Sequence, residues 1–191
     1  MRTRILVAIG LVVLIGASPA FAQRRSRAPV PNTGLSAVGV SGGAMVADDP
    51  SFDRNFEVAG NLEGYVTPRV SIRGQVGIAT LDIINRGFHG TVRPLYVEGN
   101  VVYNWERGQI HPYVTGGLGY YHYGFDIPPL SASANKFGAD VGGGVEFFLH
   151  RYFTITGEGL LHAVQGPIDA PATTFLEPRF WSFRAGIKRY F

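Results

Sequence analysis

The sequence predicts an all-β protein, an eight-stranded antiparallel up-and-down transmembrane β-barrel, and three observations carry this prediction. Between residues 34 and 191, apolar and polar residues alternate with a period of two in eight successive segments. Short and longer connections alternate between these segments, as they do in transmembrane barrels. An export signal precedes the segments, and an aromatic residue, Phe191, ends the last of them.

The N-terminal residues predict a secretory signal peptide over residues 1–22. A basic start is followed by an uncharged apolar run at 5–16 and then by the small-x-small cleavage site Ala20-Phe21-Ala22. The apolar run is shorter than the ~20 residues that a membrane-spanning helix needs. A cleaved signal is therefore favoured over a transmembrane anchor.

The composition restricts the classes of function. The chain contains no cysteine, so an exported domain must be stable without disulfides. Five of the 17 basic residues lie before position 28, which leaves 12 Lys and Arg against 14 Asp and Glu. No basic face for nucleic acid is therefore expected. Charged residues make up only 16% of the chain, which suits a surface that faces lipid.

The predicted barrel domain covers residues 34–191 and follows a predicted disordered periplasmic tail at 23–33, which contains Arg and Pro. In the clearest segment, Lys136–Leu149, all charged residues fall in one of the two alternating sets. The eight predicted strands are Leu35–Val46, Phe56–Val66, Arg69–Leu81, Arg93–Trp105, Ile110–Phe125, Lys136–Leu149, Tyr152–Val164 and Arg179–Phe191. Short turns are predicted at 67–68, 106–109 and 150–151, and longer loops at 47–55, 82–92, 126–135 and 165–178.

The alternation alone does not decide which face of the barrel is outside, because a soluble lipocalin-like barrel would place the apolar set inside. The polar sets contain Gly, Thr and Tyr but few charges, and would make a poor solvent surface. Large aromatics of the apolar set lie near strand ends, where transmembrane barrels carry interfacial girdles. The predicted girdle residues are Tyr103, Trp105, Phe137 and Trp181. These features favour an apolar set that faces lipid.

Three stretches carry a resemblance to a known family: residues 111–120, 137–146 and the last strand, 180–191. In them the chain resembles the bacterial outer-membrane β-barrel domain family, the small OmpA-like, porin-family eight-stranded barrels. The resemblance implies a protein of the outer membrane of a Gram-negative-type bacterium, surrounded by outer-membrane lipid. The family is functionally mixed, so the resemblance says more about fold than about function.

The end of the chain resembles the family's recognition signal for the barrel assembly machinery, which is thus an expected partner during biogenesis. The residues that match this signal are Phe191 and, upstream on the same face, Ile187 and Phe183. Arg189 departs from the pattern, because an aromatic or apolar residue is expected there. A long cationic side chain at a strand end can extend its charge to the membrane interface.

The interior of an eight-stranded barrel is just wide enough for side chains to fill it. Unpaired charges in that space would cost several kcal/mol each, so the inward charges are expected to pair. The expected network places Arg73 and Arg184 amid four carboxylates, those of Glu63, Glu98, Glu146 and Glu158. Polar core filling is the favoured interpretation, and a gate for small ions is the functional alternative.

No catalytic, cofactor-binding or metal site is predicted from the sequence. A hydrolase needs a nucleophile, a base and an orienting acid within hydrogen-bond reach, and no His-x-Ser spacing of the lipid A deacylase type is present. His162, with Glu158 nearby in sequence, is interpreted as a lumen histidine. Asp48, Asp49 and Asp53 are interpreted as solvated turn residues rather than Ca²⁺ ligands.

The sequence therefore predicts a non-enzymatic outer-membrane barrel that serves envelope integrity, surface contact or limited small-solute passage. Its longer loops would carry any specificity. A lipid-modifying or hydrolytic barrel enzyme is the alternative, and a secreted soluble β-barrel is a minor one. No cofactor and no nucleic-acid partner are expected, and the oligomeric state is left open.

Overall fold

The computed structural model describes residues 34–47, 52–85, 88–105, 108–127, 130–165 and 179–191. The predicted signal peptide and periplasmic tail lie outside the described residues. The strands are β1 (Ser36–Ala47), β2 (Phe52–Tyr65), β3 (Val70–Asn85), β4 (Phe88–Asn104), β5 (Ile110–Ile127), β6 (Leu130–His150), β7 (Phe153–Val164) and β8 (Arg179–Tyr190). No helix long and apolar enough to cross a membrane occurs among these residues.

The eight strands form one closed antiparallel barrel. Each strand pairs with its neighbours in sequence, and β1 closes the barrel by pairing with β8, from Ala37 opposite Tyr190 to Ala47 opposite Phe180. Closure leaves no unpaired strand edge, so the backbone hydrogen bonds are satisfied within the sheet. The predicted fold class and strand order are confirmed.

The alternation of the strands sorts their side chains between two faces. Along β8, exposed and buried residues alternate from Arg179 to Tyr190, with a half-buried Gly186. The exposed set is mostly apolar, and Leu118 on β5 is 74% exposed. The buried set holds most of the charged and hydroxyl-bearing residues. This inside-out arrangement is the one predicted for a lipid-facing barrel.

Three of the predicted longer loops are wrong in extent. In the first, predicted at 47–55, β1 continues to Ala47 and β2 already begins at Phe52. Residues 82–85 and 88–92 continue β3 and β4, and their ladder runs out to the pair Asn85 and Phe88. In the same way β5 and β6 remain paired out to Ile127 and Leu130. The side-chain alternation weakens there, but two long neighbouring strands satisfy each other's backbone groups whatever their side chains are.

The barrel rim is therefore uneven. Strand β6 has 21 residues and β5 has 18, whereas β7 and β8 have 12 each. A tilted transmembrane strand needs about 9–11 residues. The sheet made by β3 to β6 consequently extends well past the length that a bilayer requires.

Candidate functional site in the barrel lumen

The inward-facing side chains form the candidate functional site, because they converge inside a barrel whose outer face is apolar. Among the described residues, the lumen contains six buried carboxylates, those of Glu57, Glu63, Glu98, Asp140, Glu146 and Glu158. Three buried cationic side chains face them, those of Arg73, Arg184 and Lys188. The pairing of these groups decides whether the barrel is stable, since an uncompensated buried charge is strongly destabilising.

Arg73 on β3 joins two carboxylates. Its Nε donates a hydrogen bond to Glu63 Oε2 at 3.1 Å, and its Nη1 donates to Glu158 Oε2 at 2.5 Å. The guanidinium carbon lies 5.1 Å from the centre of the Tyr113 ring, within cation–π range. The hydroxyl of Tyr113 donates to Glu158 at 2.8 Å. The ion pair between Arg73 and Glu158 is therefore held by residues of three strands, β3, β5 and β7.

Arg184 on β8 extends the network across the lumen. Its Nη2 donates to Glu158 Oε1 and, at 3.2 Å, to Gln75 Oε1. Its Nη1 lies 3.4 Å from Glu57 Oε1 and donates to the Tyr96 hydroxyl at 3.0 Å. Tyr96 in turn donates to Glu57. Because Arg73 and Arg184 share Glu158, the two guanidinium groups belong to a single network.

Lys188 lies four residues after Arg184 on the same face of β8 and extends the network towards the short-turn end. Its Nζ donates to Glu63 Oε2 at 2.7 Å and also to Glu146. The Tyr190 hydroxyl donates to Glu146, and the Ser71 hydroxyl donates to Glu63. Each of these two carboxylates therefore accepts hydrogen bonds from a cation and from a hydroxyl group.

The structure places the predicted network residues inside the lumen but pairs them differently from the expectation. Glu63 and Glu158 contact the predicted arginines, whereas Glu146 pairs with Lys188. Glu98 receives its hydrogen bonds from neutral side chains and approaches His162 rather than an arginine. Counting residues from the turns does not account for the stagger between strands, which decides which side chains reach the same height.

Several members of the network were not among the six residues predicted for it, namely Glu57, Lys188, Gln75, Ser71, Tyr96, Tyr113, Tyr121 and Tyr190. Most share the inward alternation with the predicted residues, and this was the available signal. The tyrosines carry no formal charge, so a search for ion pairs passes over them. Their hydroxyl groups nevertheless donate to four of the six lumen carboxylates described above.

Two apolar layers enclose the charged layer. Towards the short-turn end, Ala37, Tyr65, Phe148 and Tyr190 form a buried cluster, in which the Phe148 and Tyr190 rings stack 5.5 Å apart. Towards the long-loop end lies a larger buried cluster of Met45, Ala59, Ala79, Leu81, Val92, Tyr96, Tyr121, Tyr123, Val164 and Phe180. The lumen is thus filled along its length rather than open.

Glycines make room for the large inward side chains. A methyl group on Gly77 would collide with the Tyr96 ring, and one on Gly144 would meet the Tyr113 hydroxyl at 2.6 Å. Both tyrosines donate to lumen carboxylates. The absence of a side chain at these two glycines therefore lets the neighbouring tyrosines lie flat across the strand and reach their acceptors.

Three side chains near the apolar layer at the long-loop end are hydrogen-bonded in the order found in serine hydrolases. Ser182 Oγ lies 3.1 Å from His162 Nε2, and His162 Nδ1 lies 2.9 Å from Glu98 Oε1. Ser182 and His162 are both 0% exposed, and the Phe180 ring stacks on the imidazole at 4.6 Å. A nucleophile also needs room for its substrate, and here aromatic and aliphatic side chains occupy that room.

On the outer face, the predicted girdle residues lie at the two ends of the apolar band. The Tyr103 and Trp105 rings meet edge to face 5.0 Å apart near the short-turn end. Phe137 meets Tyr120 edge to face at 5.4 Å near the long-loop end, and Trp181 is exposed on β8. Aromatic side chains in these positions can lie at the level of lipid headgroups.

The predicted assembly-signal residues Phe183, Ile187 and Phe191 are exposed on one outward row at the end of the chain. Arg189 lies in the same row, and its guanidinium carbon is 5.8 Å from the centre of the Phe153 ring on β7. The aromatic ring gives this cation a partner at the edge of the apolar band. The departure from the expected pattern is thus accommodated locally.

Among the described residues, no group of three or more His, Cys, Asp or Glu side chains is arranged to hold a metal ion. The part of the chain that the structure describes also contains no phosphate-binding glycine loop, because its glycine-rich runs lie within strands. What the site offers chemically is a buried network of ion pairs between two apolar layers.

An apolar outer band around a closed, charged and plugged lumen defines a transmembrane β-barrel protein. The chain belongs to the outer membrane protein beta-barrel domain family, whose model matches residues 8–188. This membership places the protein among the β-barrels of the bacterial outer membrane. The comparison with curated proteins gives no match to this chain.

Solved outer-membrane barrels share the fold at low sequence identity. The N-terminal β-barrel domain of Pseudomonas aeruginosa OprF is 15% identical, with a TM-score of 0.56, and the match covers 84% of this chain and 100% of that one. Neisserial surface protein A is 11% identical, with a TM-score of 0.62 over 83% and 98% of the two chains. Ail of Yersinia pestis is 13% identical, with a TM-score of 0.59 over 83% and 99%.

Proposed function

We propose that the protein is a non-enzymatic outer-membrane barrel with a sealed lumen, which supports envelope integrity and makes contacts at the cell surface. One observation carries the proposal: the lumen is filled by an ionic layer between two apolar layers. Each of the three buried cations contacts two carboxylates, so none of them is available to a passing solute. Such an interior stabilises the barrel and leaves no open channel through it.

The tall side of the barrel supports a role at the surface. Beyond Tyr120 and Phe137 the outward side chains become polar, and His122 Nδ1 lies 2.6 Å from Asn135 Oδ1 across β5 and β6. Both strands continue past this level to Ile127 and Leu130. The hairpin thus stands beyond the apolar band as a paired sheet, which presents side chains on a rigid backbone.

Planar-bilayer recordings test whether the lumen is sealed. We expect no conductance steps from the wild-type protein, and none from Arg73→Ala, because both apolar layers remain in that variant. A matched variant, Tyr65→Ala with Tyr190→Ala, opens the apolar layer at the short-turn end and leaves the Arg73 ion pairs in place. Steady conductance through the wild-type protein would contradict the proposal, and conductance that first appears in Arg73→Ala would favour an ion gate instead.

A hydrolytic barrel is the second candidate, and the Ser182–His162–Glu98 hydrogen bonds are the observation that favours it. The complete burial of Ser182 and His162 argues against it. A serine-reactive fluorophosphonate probe, together with mass analysis of lipid A, distinguishes the two candidates. Labelling that Ser182→Ala abolishes, or a change in lipid A mass that depends on Ser182, would establish an enzyme.

Export and assembly belong to the same proposal. The predicted signal peptide at 1–22 would direct export, and the terminal row ending at Phe191 would be recognised by the barrel assembly machinery. N-terminal sequencing of the purified protein tests cleavage before Gln23. Cell fractionation with surface proteolysis tests whether the tall hairpins face the outside, and heat-modifiable gel migration tests the membrane barrel against a secreted soluble one.

A further inference from the structure

The six described lumen carboxylates are not equally compensated. Five of them have a cationic side chain or a histidine within ion-pair distance. Asp140 on β6 has none among the described residues and accepts a hydrogen bond only from the neutral amide of Asn100. Its residue is 4% exposed, so water does not solvate this charge from the surface. A buried carboxylate in this condition needs a positive partner or a proton.

The second observation is a set of polar oxygens around Asp140 without hydrogen-bond partners. Asp140 Oδ1, Asn100 Oδ1 and Thr115 Oγ1 are each buried and unpartnered. Asn100 and Thr115 are 3% and 4% exposed. One carboxylate, one amide carbonyl and one hydroxyl oxygen therefore lie on three adjacent strands with nothing in the described part of the barrel to satisfy them.

The strand register places these three residues at neighbouring inward positions on β4, β5 and β6. Gly117 on β5 lies opposite both Asn100 on β4 and Asp140 on β6, and Thr115 is two residues away on the same inward face. A methyl group on Gly117 would lie 2.6 Å from Asn100 Nδ2. The missing side chain at Gly117 is thus what allows Asn100 and Asp140 to meet across the intervening strand.

From this placement we propose that Asp140, Asn100 and Thr115 bind a small monovalent cation, Na⁺, inside the barrel wall. Hard cations prefer carboxylate, carbonyl and hydroxyl oxygens. Calcium takes six to eight oxygen ligands and usually several carboxylates, which this cluster does not supply. Among the six described lumen carboxylates, Asp140 is the one with neither a cation nor a histidine within ion-pair distance, and one positive charge neutralises it. This site goes beyond the proposed function and does not depend on whether the lumen conducts.

The experiment measures urea unfolding of the full chain in zwitterionic detergent, in NaCl and in N-methyl-D-glucamine chloride at equal ionic strength. Wild-type protein should unfold at higher urea in NaCl. Once Na⁺ exceeds its dissociation constant, each tenfold rise in Na⁺ should lower the unfolding equilibrium constant up to tenfold. Asp140→Asn, whose amide can donate to the orphaned oxygens, should show no difference between the salts, and Thr115→Val should show a reduced one.

Thr154→Val is the matched control, because Thr154 Oγ1 is also buried and unpartnered but lies on β7, outside the three strands of this site. This variant should retain the full sodium effect. Equal stability of the wild-type protein in both salts would overturn the site and leave water or a proton as the partner of Asp140. A sodium effect that persists in Asp140→Asn would also overturn it. Broadening of the ²³Na resonance by wild-type protein, absent with Asp140→Asn, tests the site without relying on the folding of Thr115→Val.

Discussion

The lumen face and the lipid face of the barrel are made by alternate residues of the same strands, yet they accommodate charged side chains in different ways. On β8 the lumen face carries Arg184 and Lys188, and each contacts two carboxylates. The lipid face of β8 carries Arg189 near the end of the strand, where its guanidinium group lies over the Phe153 ring. Inside the barrel a charged side chain is stabilised by its ion-pair partners. On the outer face a charged side chain is tolerated because it lies far from the bilayer centre.

The difference teaches which property of each face is constrained. A lumen position requires a specific partner at the right height, so a change there leaves a second buried group unsatisfied. A lipid-facing position requires only that the side chain suit its depth, because lipid offers no specific partner. The same polar substitution should therefore have effects that depend on partners in the lumen and on depth outside.

The largest expected effect comes from removing a shared cation in the lumen. Arg184→Met keeps the length of the side chain but takes the charge away from Glu57 and Glu158. We expect a loss of about 3–5 kcal/mol in the free energy of unfolding, measured by urea titration in lipid vesicles. Arg93→Met, at an exposed position, serves as the control and should change little. Equal stability of both variants would show that the ion pairs are dispensable.

The next effect tests depth on the lipid face. Val141 lies on the exposed face of β6, four residues below Phe137. Val141→Lys should destabilise the barrel by about 2–4 kcal/mol in the same titration, because the ammonium group cannot leave the hydrocarbon region. Asn135→Lys lies on the same face of the same strand but above Phe137, and should be tolerated. If both lysines destabilise equally, the apolar band does not end at Phe137.

The smallest effect sharpens the comparison through a pair of glycines on β3. Gly77 faces the lumen against the Tyr96 ring, whereas Gly74 faces outward with open space around it. Gly77→Ala should cost about 1–3 kcal/mol through overpacking. Gly74→Ala should be close to neutral in the same measurement. A neutral Gly77→Ala would mean that the Tyr96 ring can move aside without losing its bond to Glu57.

Much of the fold could be predicted because alternation is a local property. In the segment that contains Asp140 and Glu146, the two faces could be assigned from the sequence, because all the charged residues fall in the same alternating set. The extent of the hairpins could not be predicted in this way, because the residues near Asn85 and Ile127 are held by pairing between strands rather than by their own pattern. Strand ends depend on neighbours that the local sequence does not contain.

By itself, the sequence determined the number of strands, the side of the sheet on which each residue lies, and the apolar character of the outer face. The tertiary structure decided which side chains meet. Closure of the barrel with staggered strands brought Arg73 and Glu158 together and left Asp140 beside the neutral Asn100. The physical reason is that successive residues of a strand point to opposite faces, so the local sequence decides the face of each residue. The height of a residue in the lumen depends instead on the register of every strand around the barrel.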